Sequence, residues 1–391
     1  MSTDLAPGAN LAALRKDRGL SQVQLARKAS VSVSLLSKIE VGDRTLTPAI
    51  ATVLGKAMGL TMAEVLGRAG AAGGEQQLTA LRAAIRDYDL PGRERIEEKK
   101  INAALGAALS LRKEVKVAEL LTALPKLLRD ATTHAHEANT PEAWMVLSDA
   151  YSAAYWLAAR HRWMDLAELA VTRQRWAVEQ KPNPLGAAVA DRDRAGTYLN
   201  FGDVESGLTV IDRAIANAER DLSGTERDIA VSILNLRGMT LAGRLPDKRE
   251  AGREAERHVQ SALRTSQGMS HVLNVHGLTA GPQNVLAHQL ATYVDLGKPR
   301  DALAITDDLP TALAGLPPTR LAPTFINAAR AHLDIADRQG ALEKLALAWD
   351  AAPQMARIHP MGQEVFRVVS SLHRRSNREL LRLAKIAGID A

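Results

Sequence analysis

The 391-residue chain contains no cysteine, which excludes disulfides, thiolate metal sites and cysteine nucleophiles together. Aromatic residues make up only 3%, so a core must be filled by small and aliphatic side chains, which suits closely packed helices. No run of eighteen apolar residues occurs, and a membrane-spanning helix is not expected. The first ten residues, MSTDLAPGAN, lack the charged-then-apolar pattern of a secretory signal, so the expected setting is soluble and cytoplasmic, with no membrane partner. Strand-like alternation is missing, and the expected fold class is all-α. The patterns of catalysis are missing too. The ten histidines are scattered, and the nearest pair, His134 and His136, would face different directions on a helix. There is no H-E-x-x-H, no G-x-S-x-G, and no glycine-rich loop ending in Lys-Ser/Thr. Neither an enzyme, a cofactor nor a metal site is expected.

The formal net charge is +6, compatible with a nucleic-acid partner. The most informative stretch is residues 11–66. There Leu11, Leu14, Leu25, Ala26, Ala29, Val31, Leu36, Ile39, Ile50, Val53, Leu54, Ala57, Met58, Leu60 and Leu66 recur at three- and four-residue steps, the mark of short amphipathic helices over one small core. Ser21 and Ser32 are placed to cap two successive helices, and Gly42 to end the second. Only Ser30 and Val31 remain between them, so the helices must cross steeply and the second can protrude into a major groove. Between Ala9 and Lys56 eight Lys and Arg face three acids (Asp17, Glu40, Asp43), a surplus suited to a polyanion.

The run Leu20-Ser21-Gln22-x-x-Leu25-Ala26-x-x-Ala29-x-Val31-Ser32-x-x-x-Leu36-Ser37-x-Ile39-Glu40-x-Gly42 resembles the XRE-type helix-turn-helix of phage repressors and many bacterial regulators. Ser30 stands where that family usually has glycine. The resemblance implies a sequence-specific regulator, a repressor by its likeness, acting on a double-stranded DNA operator. Gln22 would bond a phosphate and brace the recognition helix, while Ser32 caps it. Val33, Ser34, Ser37 and Lys38 would form the reading face. Lys38 can donate to guanine O6 and N7, the serines can bond either kind of edge, and Val33 can touch a thymine methyl. Arg44 is placed for the DNA backbone. Arg15 and Glu40 match a pair that forms a partly buried salt bridge in related repressors. Four readable side chains specify few base pairs, so a homodimer on two half-sites is expected. The DNA-binding domain is placed at residues 1–66.

Residues 67–77, GRAGAAGGEQQ, read as a glycine-rich linker, flexible enough to let body movements reposition the heads. Residues 78–391 read as a helical body with an internal repeat. Helix ends followed by a small-aliphatic pair recur at His161, Gly202, Gly297 and Ala336, with a looser copy at Gly243. A period near forty residues with two helices per period marks a helical solenoid. The pattern G-(D/K)-x-x-x-(G/A)-L, with Tyr198 and Tyr293 each four residues before the glycine, resembles the tetratricopeptide repeat. Alignment with that repeat places Tyr151, Tyr155, Arg192, Asn200, Asn235, Met239, Asn284 and His288 on a concave ligand-binding wall. The whole layout resembles the peptide-pheromone-responsive regulators of Gram-positive bacteria. That likeness implies a dimerising body that senses a signal peptide or small-molecule effector and alters operator binding. The alternative is a tetratricopeptide-type adaptor whose main activity is protein–protein binding.

Overall fold

The computed structural model describes residues 7–60, 62–66, 75–269, 272–372 and 377–388. Among them run 22 helices and a single two-stranded hairpin, the expected all-α fold of a helix-turn-helix followed by a helical body. The head consists of α1 (Pro7–Asp17), α2 (Gln22–Lys28), α3 (Val33–Val41), α4 (Pro48–Met58) and α5 (Met62–Leu66). Leu11, Leu25, Leu36, Ile39 and Leu54 are fully buried at its centre. The helix ends follow from local chemistry. Ser21 Oγ accepts the Gln24 N–H while Gln24 Oε1 accepts the Ser21 N–H, a reciprocal capping box. Ser32 Oγ accepts the Leu35 N–H, and Gly42 closes α3 in the left-handed region at φ 88°. Ser30 has φ 53°, the left-handed turn for which glycine is cheaper by roughly 1–2 kcal/mol.

The body opens with α6 (Glu75–Arg86) and continues as antiparallel helix pairs. These are α7 (Glu98–Lys113) with α8 (Val117–Ala138), α9 (Pro141–Arg160) with α10 (Met164–Gln180), and α11 (Pro184–Phe201) with α12 (Val204–Asp221). Then come α13 (Gly224–Ala242) with α14 (Lys248–Ser266), α15 (Pro282–Asp295) with the short α16 (Pro299–Leu303), α17 (Leu309–Ala312), and α18 (Pro318–Asp334) with α19 (Arg338–Ala351). The chain ends through α20 (Met355–Ile358), α21 (Pro360–Leu372) and α22 (Arg378–Ala387). Five of the pairs turn in one way. Val115, Arg162, Gly202, Gly297 and Ala336 all have φ between 57° and 80°. In each case the next N–H reaches back to the carbonyl five residues earlier, as from Asp203 to Tyr198 (3.0 Å) and from Lys298 to Tyr293 (2.9 Å). This is the Schellman closure. Tyr198 and Tyr293, four residues before their glycines, hold its accepting carbonyls. Gly243 is right-handed, which is why its copy of the pattern looks loose.

The expected absence of strands needs correction. β1 (Leu273–Val275) and β2 (Leu278–Ala280) form an antiparallel hairpin around His276 (φ 49°) and Gly277 (φ 67°). Two consecutive left-handed residues make the two-residue turn favoured by strand twist, but three-residue strands are too short for alternation to register. This insertion stretches the interval between the turns at Gly243 and Gly297. The linker expectation also changes. Residues 67–74 lie outside the described residues, whereas Glu75, Gln76 and Gln77 already form the first turn of α6.

The stack of pairs closes on itself. α7 packs against α18, and Gln354 Oε1 accepts the backbone N–H of Val117 (2.9 Å) at the start of α8. One apolar core accordingly runs through both ends of the body. The head is seated on this ring. Arg162 Nη1 donates to the Leu66 carbonyl (2.6 Å), Arg44 pairs with Asp334 (3.4 Å), and the Leu46 N–H donates to the buried Glu364 carboxylate. A Cβ on Gly202 would lie 2.9 Å from Thr52 Cγ2, so the ring and α4 approach closely.

Candidate functional site

On the head, Glu40 is the hub that fixes α3. Arg15 grips it with two hydrogen bonds, Nε to Oε1 (2.7 Å) and Nη2 to Oε2 (2.8 Å), and also donates to the Leu20 carbonyl (2.6 Å). Gln22 Nε2 donates to the same Oε2 at 2.8 Å. Burial acts to raise the Glu40 carboxyl pKa, but the hydrogen bonds from Arg15 and Gln22 outweigh it and hold the group below its usual range. Gln22 thus braces α3 from α2 and spends one amide proton doing so. Ser32, Val33, Ser34 and Lys38 are exposed on the opposite side and Ser37 is half-buried, so this face is open in the seated head. Arg44, expected at the DNA backbone, pairs with Asp334 at the C-terminal end of α18 (3.4 Å) and keeps its side chain 52% exposed.

The body holds a cavity of about 310 Å³, at the small end of the range of small-molecule sites. Its wall comes from the first helix of successive pairs: Arg112 on α7, Arg160 on α9, Arg192 on α11, Arg237 on α13, His288 on α15 and Arg320 on α18. Each inner helix contributes a basic side chain. Arg162, Arg244 and Arg330 line it as well, as do Met62 and Leu66 of α5. Eight arginines therefore meet two aspartates, Asp193 and Asp295. Both acids are already committed. Asp295 is shared by Arg330 (2.9 Å) and Arg244 (3.3 Å), while Asp193 binds Arg192 (2.8 Å) and accepts from Ser152 (2.6 Å).

Among the described residues no carboxylate lies at ion-pair distance from Arg112, Arg160, Arg237 or Arg320. The Nε atoms of Arg237 and Arg320 are buried without a hydrogen-bond partner. Burial first, then neighbouring arginines, push Arg320 well below the ordinary guanidinium range, and Arg192 down to about 10. Burial likewise takes Arg160 to about 10. Guanidinium groups in proteins stay cationic at neutral pH, and the values of Arg160 and Arg192 agree with that. Burial, reinforced by nearby arginines, holds His288 neutral and drives His359 to about 3. Gly196 lets Tyr155 and Arg237 pack close against α11, since a Cβ there would lie 2.0 Å from Tyr155 Oη and 3.2 Å from Arg237 Nη2. Arg112 and Arg160 flank the Trp156 ring at 5.9 and 5.6 Å. A larger hollow of about 460 Å³ lies beside α16 and α19, but its charges include the ready-made His332–Asp337 pair (2.8 Å).

The structure brings Tyr155, Arg192, Asn200 and His288 to the cavity wall. It removes the other four expected wall residues. Tyr151 is fully buried in the core under α9. Met239 is buried with Val259 and Val285 between α13, α14 and α15. Asn235 bridges α13 and α14, bonding the Val231 carbonyl, Ser261 Oγ and His258 Nδ1. Asn284 anchors the hairpin by donating to the Thr279 carbonyl (2.6 Å). Sequence reasoning missed Arg112, Arg160, Arg237 and Arg320. A usable signal was present: none of them has an acid three or four residues away on either side.

Compared with known proteins, residues 11–65 match the helix-turn-helix family model. No curated protein and no solved structure matches the chain. The N-terminal segment is thus an XRE-type helix-turn-helix, the module of DNA-binding transcription regulators. No described helix is long and apolar enough to cross a membrane.

Proposed function

We propose that the chain is a sequence-specific repressor in which residues 1–66 read an operator, and residues 78–391 form a tetratricopeptide-like body that dimerises and senses an effector. The observation that carries this reading is the shared wall: Met62 and Leu66 of α5 in the DNA-reading head line the same cavity as the inner helices of the body. A ligand there would contact the element that seats the head, so its binding energy can bias head position. The sense of regulation follows from the head's likeness to repressors.

Gel shifts of the full-length protein on genomic fragments, including the chain's own promoter region, test DNA reading. Ser34→Ala with Lys38→Ala should weaken operator binding by roughly 1–3 kcal/mol for each good base-edge interaction removed, with non-specific binding at low salt largely retained. An unchanged operator affinity would show that α3 does not present the reading face through these residues. Light scattering reports the dimer, and a monomer at micromolar concentration would remove that part of the reading.

A further inference from the structure

We infer that the cavity is built for a compact phosphorylated small molecule carrying at least two negative charges, held by Arg192, Arg237 and Arg320 against the Trp156–Arg160 wall. This rests on the effector reading above and names the chemical class of that effector. A protein interior does not ordinarily retain cations without partners, because each unpaired buried charge costs several kcal/mol. Here four guanidinium groups from four different helices line one cavity, and none has a carboxylate at ion-pair distance among the described residues. The two acids present are saturated by Arg192, Arg244, Arg330 and Ser152. The missing counter-charge must come from outside the chain. Planar forks of this kind match phosphate oxygens two at a time. The half-buried surfaces of Arg160, Arg237 and Arg320 open into the cavity itself.

Size argues for a small molecule over an extended peptide. The ring closes through α7 and α18, and Met62 and Leu66 of the head line the cavity beside it. The space of about 310 Å³ is near the lower limit for drug-sized ligands, short of what several peptide residues would need. The aromatic face of Trp156 and the Tyr155 hydroxyl supply the apolar and polar contacts that a ring carried by such a phosphate would use.

Thermal unfolding of the full-length protein with inorganic pyrophosphate and with ADP, at constant ionic strength against chloride, tests the site. A hundredfold excess over Kd should raise Tm by roughly 3–4 °C. Arg237→Gln and Arg320→Gln should each abolish most of that rise while leaving the ligand-free Tm equal to or above the parent, because one repelling cation is gone. Arg237→Lys, which keeps the charge, should retain part of it. No rise with either anion overturns the proposal. So does an undiminished rise in both Gln variants, which would put the anion elsewhere, for example on the basic face of the head. A ligand-free Tm lowered by several degrees in both would also overturn it, since those arginines would then have structural partners. Stabilisation by short acidic peptides but not by the phosphates would make the occupant a peptide and overturn the assignment to a phosphorylated small molecule. A separate gel shift with pyrophosphate distinguishes the two levels. If Tm rises but DNA binding is unmoved, the anion site stands and the effector reading falls.

Discussion

Removing the Glu40 carboxylate should loosen the reading head without touching its exposed face. In Glu40→Ala the Arg15 guanidinium stays almost buried, at 7% exposure, and keeps a single acceptor, the Leu20 carbonyl. Gln22 loses its partner as well. Breaking a buried pair from one side costs about 3–5 kcal/mol. The retained Leu20 bond and the position of Arg15 near the domain edge place this case lower, at about 2–3 kcal/mol. α3 is tied to α1 and α2 through this hub, so the loss should appear as local opening. Hydrogen exchange read by mass spectrometry should show amides of α1–α3 exchanging roughly 30- to 160-fold faster, with the body unchanged. The double variant Arg15→Met with Glu40→Leu should recover most of that protection, because neither charge is then stranded. Protection within threefold of the parent in Glu40→Ala would refute the hub. Because the Glu40 pKa is depressed in the folded state, its contribution is present above the unfolded carboxylate pKa and is lost as pH falls through the folded value. The comparison therefore belongs at pH 7.

Acid should destabilise the body through buried neutral histidines. Burial holds His258 at about 4, beside Asn235, and His359 at about 3. A base with a lowered folded pKa gives stability that is complete above the unfolded value of 6.5 and is lost as pH falls towards the folded one. Between pH 6.5 and 5 each should cost about 2 kcal/mol, and urea midpoints should fall accordingly. A midpoint independent of pH over that range, or one equally pH-dependent in His258→Gln, would contradict the assignment. Asp334→Asn should release Arg44 from the end of α18 and tighten binding to a non-specific duplex by up to about fivefold, the range of an exposed ion pair. Fluorescence anisotropy would detect it. The gain should vanish when Arg44→Ala is added, and a gain that persisted would place the effect elsewhere.

The head was legible because its signals are local and dense. Ser21 and Gln24 cap each other three residues apart, Ser32 caps the next helix, and the Arg15–Glu40 pair follows from a pattern that fixes both positions. The turns of the body were legible for the same reason, since a Schellman closure needs only six consecutive residues. The cavity was not. Asn235 and Asn284 looked like wall residues because alignment with the tetratricopeptide repeat put them on its concave face. Both are instead spent inside, on His258 and on the hairpin carbonyl of Thr279. A polar side chain buried for backbone or neighbour bonds cannot be told by spacing from one that waits for a ligand. The arginines were the better guide. A guanidinium facing solvent tends to have an acid one helical turn away, whereas Arg112, Arg160, Arg192, Arg237 and Arg320 have none at three or four residues. Each alone says little; their convergence from five helices depends on ring closure, which no local pattern encodes.

That convergence bears on how a signal would reach DNA. Neighbouring arginines act unfavourably on one another there, and a polyanion bound among them would offset that repulsion and favour a ring with its inner helices drawn together. Arg162 stands at both places: it lines the cavity and also holds the Leu66 carbonyl of α5 at 2.6 Å. The head's other supports, Asp334 on α18 and Glu364 on α21, belong to other helices of the same ring. A change in ring diameter therefore alters the distance between the points on which the head rests. In a dimer, where two heads must span a fixed half-site spacing, a shift of that kind is enough to change operator affinity without altering any base-reading side chain. Coupling of this sort is typically about 1–3 kcal/mol and is reciprocal, so operator DNA must change the affinity for the anion by the same factor. A cavity whose charge is uncompensated is suited to this task. The larger the repulsion a ligand relieves, the larger the difference in its affinity between the open and the drawn-in ring, and that difference alone sets how far the heads can be shifted.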